Sequence, residues 1–396
     1  MTYQSSQETE KTVIPFYRDE RVLRFAAQII SAVLIFAFLI WAVLNFLRAA
    51  DARNMTLTFG FLKEAAGFPI SNPPIEYNPA MSFGRAFLVG LVNTLIVSGV
   101  GIVTATILGT LVALARLSSN WMLSRMALVF IEFHRNIPLL VLLFIWYFVV
   151  FGFLPPEKES LIWPGPIFIA RRGVYISWPR LTETGNIFII LFGIGILSAF
   201  IAFFILRRIR QDTGKNTYFI PVSLGLLIVF FLAGWFLAGG SPFQIDTPYL
   251  KGFNFQGGMR LTPEFAGMYL SLSLYTAAFI AEVVRGGIQA VSKGQIEAAR
   301  AVGLTQYQVL SLIVMPQALR IIIPPMISQY LNLTKNSSLA LAIGFQEVFA
   351  VGKIAINQAG RAVPVFALIM LTYLSLSLLT SLILNVYNRR IQFVVR

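Results

Sequence analysis

Four small groups of charged and polar residues interrupt an otherwise apolar chain: Glu132 with Arg135, Glu282 with Arg285, Glu297 with Arg300, and the run Lys335, Asn336, Ser337, Ser338. None has the make-up of a reaction centre. The chain has one histidine, His134, and no cysteine, which excludes thiolate chemistry, disulfides and Cys/His zinc sites. No nucleophile–base–orienter set appears. No phosphate-binding loop is written either: the Gly-Lys pairs at 214–215 and 352–353 lead into Asn216 and Ile354 and lack the upstream glycine. What remains for these residues is the recognition of charge. A cation inside an apolar span costs about 2.5–3.5 kcal/mol on insertion scales, which makes Arg135 and Lys335 functional candidates. Glu132, three positions before Arg135, is placed to pair with it, and Glu282 to pair with Arg285 or snorkel. His134 has no co-ligand for a metal and reads as a packed or interfacial residue.

The elements that must carry these groups are membrane helices. Of 396 residues, 57% are hydrophobic and 12% charged, with a mean hydropathy of +0.75, whereas a soluble domain carries about 25% charge. Eight apolar stretches are long enough to cross a bilayer, at about 25–47, 86–114, 126–153, 187–206, 218–238, 265–288, 321–350 and 364–386. Arg135 then lies about nine residues into the third, roughly 13 Å from its inner end at 1.5 Å per residue. The 335–338 run interrupts the seventh, and Pro324 with Pro325 shapes its start. The N-terminal 24 residues are polar and of mixed charge, too long for the n-region of a signal peptide, so the first span reads as retained.

With the N-terminus inside, the inner segments hold 16 Lys and Arg and the outer segments 12. The inner ones are shorter and denser, with RRIRQDTGK at 207–215 and NRRIQFVVR at 388–396 the clearest inside markers. Both termini are expected in the cytoplasm, and with them residues 289–320. The net charge of +14 is spread over short segments beside apolar spans. That pattern fits topology signals and anionic membrane lipids, and gives no reason to expect nucleic acid.

Residues 294–320, GQIEAARAVGLTQYQVLSLIVMPQALR, stand out as polar and Ala-rich between two apolar spans. Ser292 and Gln295 have the spacing of a capping box, so a helix is expected from about Lys293. Glu297 lies in its early turns, where it complements the helix dipole. Gly303 is placed to close it in a left-handed cap. Thr305 and Gln308 repeat the capping spacing and start a second helix running towards Pro316. The result is a helix, a glycine bend and a second helix on the inner face. By itself this is compatible with an interfacial helix that has no partner.

The longer pattern is more specific. Glu297-Ala298-Ala299, Gly303, Ile313 and Met315-Pro316 resemble the loop signature of ABC importer permeases, with Met where that pattern usually has Leu. GLVNTLIVSGVGIVTATILGTLVALARLS at 90–118, the Arg135, Pro138, Leu139, Leu140 set, and PPMISQYLNLTKNSSLALAI at 324–343 are similar to segments of the polar amino-acid permeases, the histidine/glutamine/glutamate/arginine/opine group. The resemblance covers about 86–153 and 264–390. Short members of the group lack the first span and most of 154–263, and the combination is most similar to the larger Q-type permease subunits of general L-amino acid ABC importers.

The resemblance implies an all-α, polytopic membrane protein of about eight transmembrane helices, with a type I ABC importer permease core and a cytoplasmic coupling helix. It implies a cytoplasmic tail at 1–24, an extra helix and outer loop at 25–85, a transmembrane domain at 86–390 with two extra helices inserted at about 154–263, and a tail at 391–396. Glu297, Ala298, Ala299, Arg300, Gly303, Leu304 and Pro316 would form the coupling surface. The implied partners are two copies of a cytoplasmic ABC ATPase, which would use ATP and Mg, a second homologous permease subunit, and a periplasmic amino-acid-binding protein. No cofactor or metal is implied for this chain, and no catalysis. Arg135, Lys335, Asn336 and Ser337 are expected to line the path and hold the carboxylate of an L-amino acid crossing the bacterial inner membrane; the alternative is that they pair internally and stabilise packing. A secondary amino-acid transporter driven by an ion gradient would also explain buried charges, but has no use for the loop.

Overall fold

The computed structural model describes residues 20–52 and 58–391. The expectations for the two tails fall mostly on residues 1–19 and 392–396, outside the described residues. Helix α1 (Glu20–Ala52) comes first; no residue in its most apolar stretch is buried against the rest of the chain. A 3-10 turn (Gly60–Lys63) leads to α2 (Phe83–Arg116), capped by the Ser82 side chain. There follow α3 (Trp121–Asn136), α4 (Leu139–Phe144), a π-helical stretch (Ile145–Phe151), α5 (Gly185–Thr213), α6 (Phe219–Leu237) and α7 (Pro263–Gln289). Beyond these lie α8 (Lys293–Ala301), α9 (Gln306–Gln308), a second π-helical stretch (Val309–Val314), α10 (Met315–Asn336), a 3-10 helix (Ser337–Ile343), α11 (Val348–Ala359) and α12 (Ala362–Ile391). Among the described residues, seven helical segments are long and apolar enough to cross a membrane, and the bent pair of α3 with α4 and its π extension makes an eighth if counted as one span.

That bend corrects the straight third span. The two halves meet at 104°, with Ile137 extended at φ −94°, ψ 129°, the region towards which the residue before a proline such as Pro138 is biased. Arg135 lies on α3 just before the bend, so this span does not run on one axis beyond it. The seventh span breaks at the polar run as expected, α10 ending at Asn336, while Pro324 and Pro325 lie inside α10 rather than at its start.

The segments flanking α5 and α6 are not plain loops. They form a four-stranded antiparallel sheet in the order β1 (Leu161–Trp163), β2 (Ile167–Ala170), β3 (Gly173–Ile176), β8 (Met259–Leu261), and two ribbons, β4 (Trp178–Leu181) with β5 (Phe243–Asp246) and β6 (Tyr249–Lys251) with β7 (Asn254–Gln256). Pairing of Val174 with Leu261 brings the two ends of this segment together and delivers the chain to Thr262, whose side chain caps α7. Helices α5 and α6 pack on each other through Phe188, Phe192, Phe231 and Trp235 and leave most of their surface for lipid.

The core is built on α2 against α7. A Cβ at Gly109 would stand 2.7 Å from the Ala277 carbonyl, so only glycine permits this approach. Thr104 and Tyr269 share a hydroxyl hydrogen bond of 2.8 Å, as do Thr106 and Tyr330 at 2.9 Å, tying α2 to α7 and α10. At the sheet end of the bundle, Gln346 accepts from the Ser71 amide and donates to the Pro69 carbonyl, while its own carbonyl accepts from Asn93. The other end of the bundle carries α8.

Candidate functional site

Helix α8 runs from Lys293 to Ala301 and exposes Glu297, Ala298 and Arg300 while burying Ala299. Ala299 joins Val309, Val314 and Ala318 in the main apolar cluster, which seats the helix against the base of the seventh span. The chain turns at Gly303, at φ +85°, where the Leu304 amide donates to the Ala299 carbonyl and the Gly303 amide to that of Arg300. These bonds satisfy carbonyls that a helix end otherwise leaves open. Thr305 and Gln308 form a complete capping box, worth about 1 kcal/mol.

Two details depart from expectation. Ser292 makes no side-chain capping bond, the Gln295 amide donates to the Ser292 carbonyl instead, and the Gln295 side chain accepts from Gln317 on α10. The second helix does not stop near Pro316: α9, the π-helical stretch and α10 run on to Asn336. Proline lacks an N–H and its ring excludes the carbonyl four residues before it. The widened turn at Val309–Val314 lies where that carbonyl must be accommodated.

The bend also presents two side chains that the sequence reading left out. Val302 is 76% exposed and Tyr307 78%, on either side of Gly303. A large apolar residue at a polar loop tip is the signal that could have found them.

The other candidates do not gather at one place. Arg135 is exposed on α3 with its guanidinium 5.3 Å from the centre of the Phe279 ring on α7. Glu132 pairs with Asn136 at 2.9 Å instead of with Arg135. Glu282 and Arg285 do pair, at 2.6 Å. His134 is buried between the rings of Phe130 and Phe133, with Nδ1 3.0 Å from the Phe130 carbonyl. Lys335 lies in a separate groove of about 750 Å³ lined also by Ser338, Phe349, Met370, Tyr373 and Leu374, with no residue from α3. Among the described residues its ammonium has no carboxylate at ion-pair distance. Asn336 is half-buried, and Ser337 is buried and donates to the Thr334 carbonyl at 2.8 Å. Among the described residues no group of three or more His, Cys, Asp or Glu could hold a metal.

Glu347 was not singled out by its sequence. It is fully buried and accepts from the Phe349 amide at 2.9 Å, the Ala350 amide at 2.8 Å and the Tyr373 hydroxyl at 2.5 Å. It caps α11 and ties it to α12.

Residues 101–393 match the family described as binding-protein-dependent transport system inner membrane component. The chain belongs to that family. It is 42% identical to the general L-amino acid transport system permease protein AapQ of Rhizobium johnstonii, over 93% of this chain and 92% of the relative. It is equally identical to the putative amino-acid ABC transporter permease YhdX of Escherichia coli, over 93% and 94%. The glutamate/glutamine/aspartate/asparagine transport system permease BztB of Rhodobacter capsulatus is 35% identical over 94% and 95%. Membership makes the chain a multi-pass inner-membrane permease subunit of an ABC importer, not a secondary transporter and not itself an enzyme. Helices α5 and α6 and the strands lie inside the matched region of this chain.

Proposed function

We propose that this chain is the permease subunit through which a binding-protein-dependent ABC importer passes L-amino acids, polar or charged ones among them. The ATPase grips the bend between α8 and α9. The observation that carries this reading is the surface around Gly303: exposed Glu297, Ala298, Arg300, Val302 and Tyr307 on a capped, core-seated element at one end of the bundle. Leu304 and Pro316 fix its geometry from behind. The loop end then faces the cytoplasm with both termini, and the sheet end faces the periplasm, where a binding protein delivers the amino acid. The transmembrane domain spans 86–390, with 154–263 as an insertion. Two copies of the ATPase, using ATP and Mg, and a second homologous permease complete the assembly. Arg135, Lys335, Asn336 and Ser337 line the path; the unpaired Lys335 ammonium in an apolar groove is the stronger candidate for a carboxylate partner.

The test is copurification of the ATPase with the membrane complex. Glu297→Ala should weaken the association and Gly303→Asp should abolish it, with ATP-dependent amino-acid import lost in parallel. ATPase retention at the wild-type level in Gly303→Asp would refute the docking surface.

A further inference from the structure

Besides the peptide chain, a side chain joins the loop element to the span that follows it. Gln317 donates through Nε2 to the Ile313 carbonyl at 3.0 Å and also to Oε1 of Gln295 on α8. A carboxamide has two N–H donors, so one group serves both acceptors. Ile313 belongs to the π-helical stretch Val309–Val314, and Pro316 follows it at the start of α10. The Gln317 amide is therefore fastened on one side to the irregular turn and on the other to the coupling helix. Single widened turns inside long helices are frequently functional.

Two other links between α8 and α10 are less directive. The backbone route passes through Gly303, where nothing lies within 4 Å of an added Cβ. The apolar seat of Ala299 on Val309 and Val314 supplies buried area, but hydrophobic contact is non-directional. Hydrogen bonds have preferred distances and angles, so the Gln295–Gln317 bridge fixes the register of α8 on the base of α10.

We propose that Gln317 is a positioning residue that clamps α8 to the π-helical base of the seventh span, so that the loop element and the inner end of α10 move as one body when the ATPase closes. The proposal rests on the docking reading given above. Gln295 supplies the acceptor, and its carboxylate replacement keeps an acceptor at that place.

The experiment uses the complete importer reconstituted with its ATPase and binding protein, reading amino acid imported per ATP hydrolysed. Gln317→Leu should keep the ATPase bound yet lower that ratio by about fivefold, the factor of one neutral hydrogen bond. Gln295→Glu should stay within about twofold of wild type, since its carboxylate can still accept. A Gln317→Leu complex with an unchanged ratio overturns the proposal.

Should Gln317→Leu fail to assemble, cross-linking decides. The chain has no cysteine, so Gln295→Cys with Gln317→Cys can be joined by a short bis-methanethiosulfonate reagent, with cysteine-free partner subunits, and released by reductant. Import per ATP by the joined complex should exceed that of its reduced form, which lacks the hydrogen-bonded bridge, by about fivefold; equal values overturn the proposal. Import that stops on joining and returns on reduction overturns the proposal. Gly303→Asp in the same preparations keeps the two ideas apart. Loss of ATPase there with normal coupling in Gln317→Leu rejects only the clamp, whereas retention of ATPase rejects the docking reading itself.

Discussion

Gly303→Ala separates the shape of the bend from everything that touches it. Gly303 sits at φ +85°, and a Cβ built there meets no heavy atom within 4 Å. The substitution thus adds no clash; it only asks an L-residue to hold a left-handed conformation, at a cost of about 1–2 kcal/mol. That energy corresponds to a factor of about 5–30 in the population of the bend. The alternative backbone would release the Leu304-to-Ala299 and Gly303-to-Arg300 hydrogen bonds and swing Val302 and Tyr307 apart. Titrating the purified ATPase onto the permease complex in nanodiscs should show binding weakened by about 5–30-fold in Gly303→Ala. Gly303→Asn should be affected less, because Asn tolerates this region better than Ala does. Wild-type affinity in Gly303→Ala, or a larger loss in Asn than in Ala, would refute the argument from backbone conformation.

Three further outcomes are expected. Tyr373→Phe removes the hydroxyl bonded at 2.5 Å to buried Glu347 and should destabilise the complex by about 1.5–3 kcal/mol, read as a lower thermal midpoint, with Tyr373→Trp no better. Gly109→Val places a side chain where a Cβ alone would stand 2.7 Å from the Ala277 carbonyl; the cost of overpacking is about 1–3 kcal/mol, again checked by thermal unfolding. Lys335→Ala and Arg135→Ala should raise the amino-acid concentration for half-maximal import by about tenfold, as for loss of a charged hydrogen bond, with the ATPase still bound. Unchanged apparent affinity in both would remove these residues from the substrate path.

At the scale of whole spans the sequence was readable because a membrane helix is written in one continuous apolar stretch. Where reading failed, the deciding contact was either a short local bar overridden by the hydropathy window or a residue far away in the chain. The break at Pro138 is of the first kind. Ile137 leaves the α region before Pro138, as the residue before a proline is biased to do, yet apolar residues continue on both sides and a window average passes over it. The sheet is of the second kind. Strands of three or four residues are too short to show a period, and β3 finds β8 only because α5 and α6 return the chain to the same end of the bundle. Glu347 is also of that kind: glutamate is not a preferred N-cap, and its burial depends on Tyr373 of α12.

The loop shows the same distinction within a few residues. Ser292 with Gln295 and Thr305 with Gln308 have identical spacing and chemistry, and only the second pair forms a capping box. The Gln308 side chain meets no stronger partner and bonds the Thr305 amide at 2.9 Å. The Gln295 side chain is taken by Gln317, 22 residues on. The glutamine half of the motif is thus used where nothing distant competes for its side chain and lost where something does. Each choice leaves a trace: α9 starts on a completed cap, and α8 starts without one. Helix α8 lacks a Ser292 capping bond, worth about 1 kcal/mol, and has a side-chain bond to α10, which a capping box cannot provide.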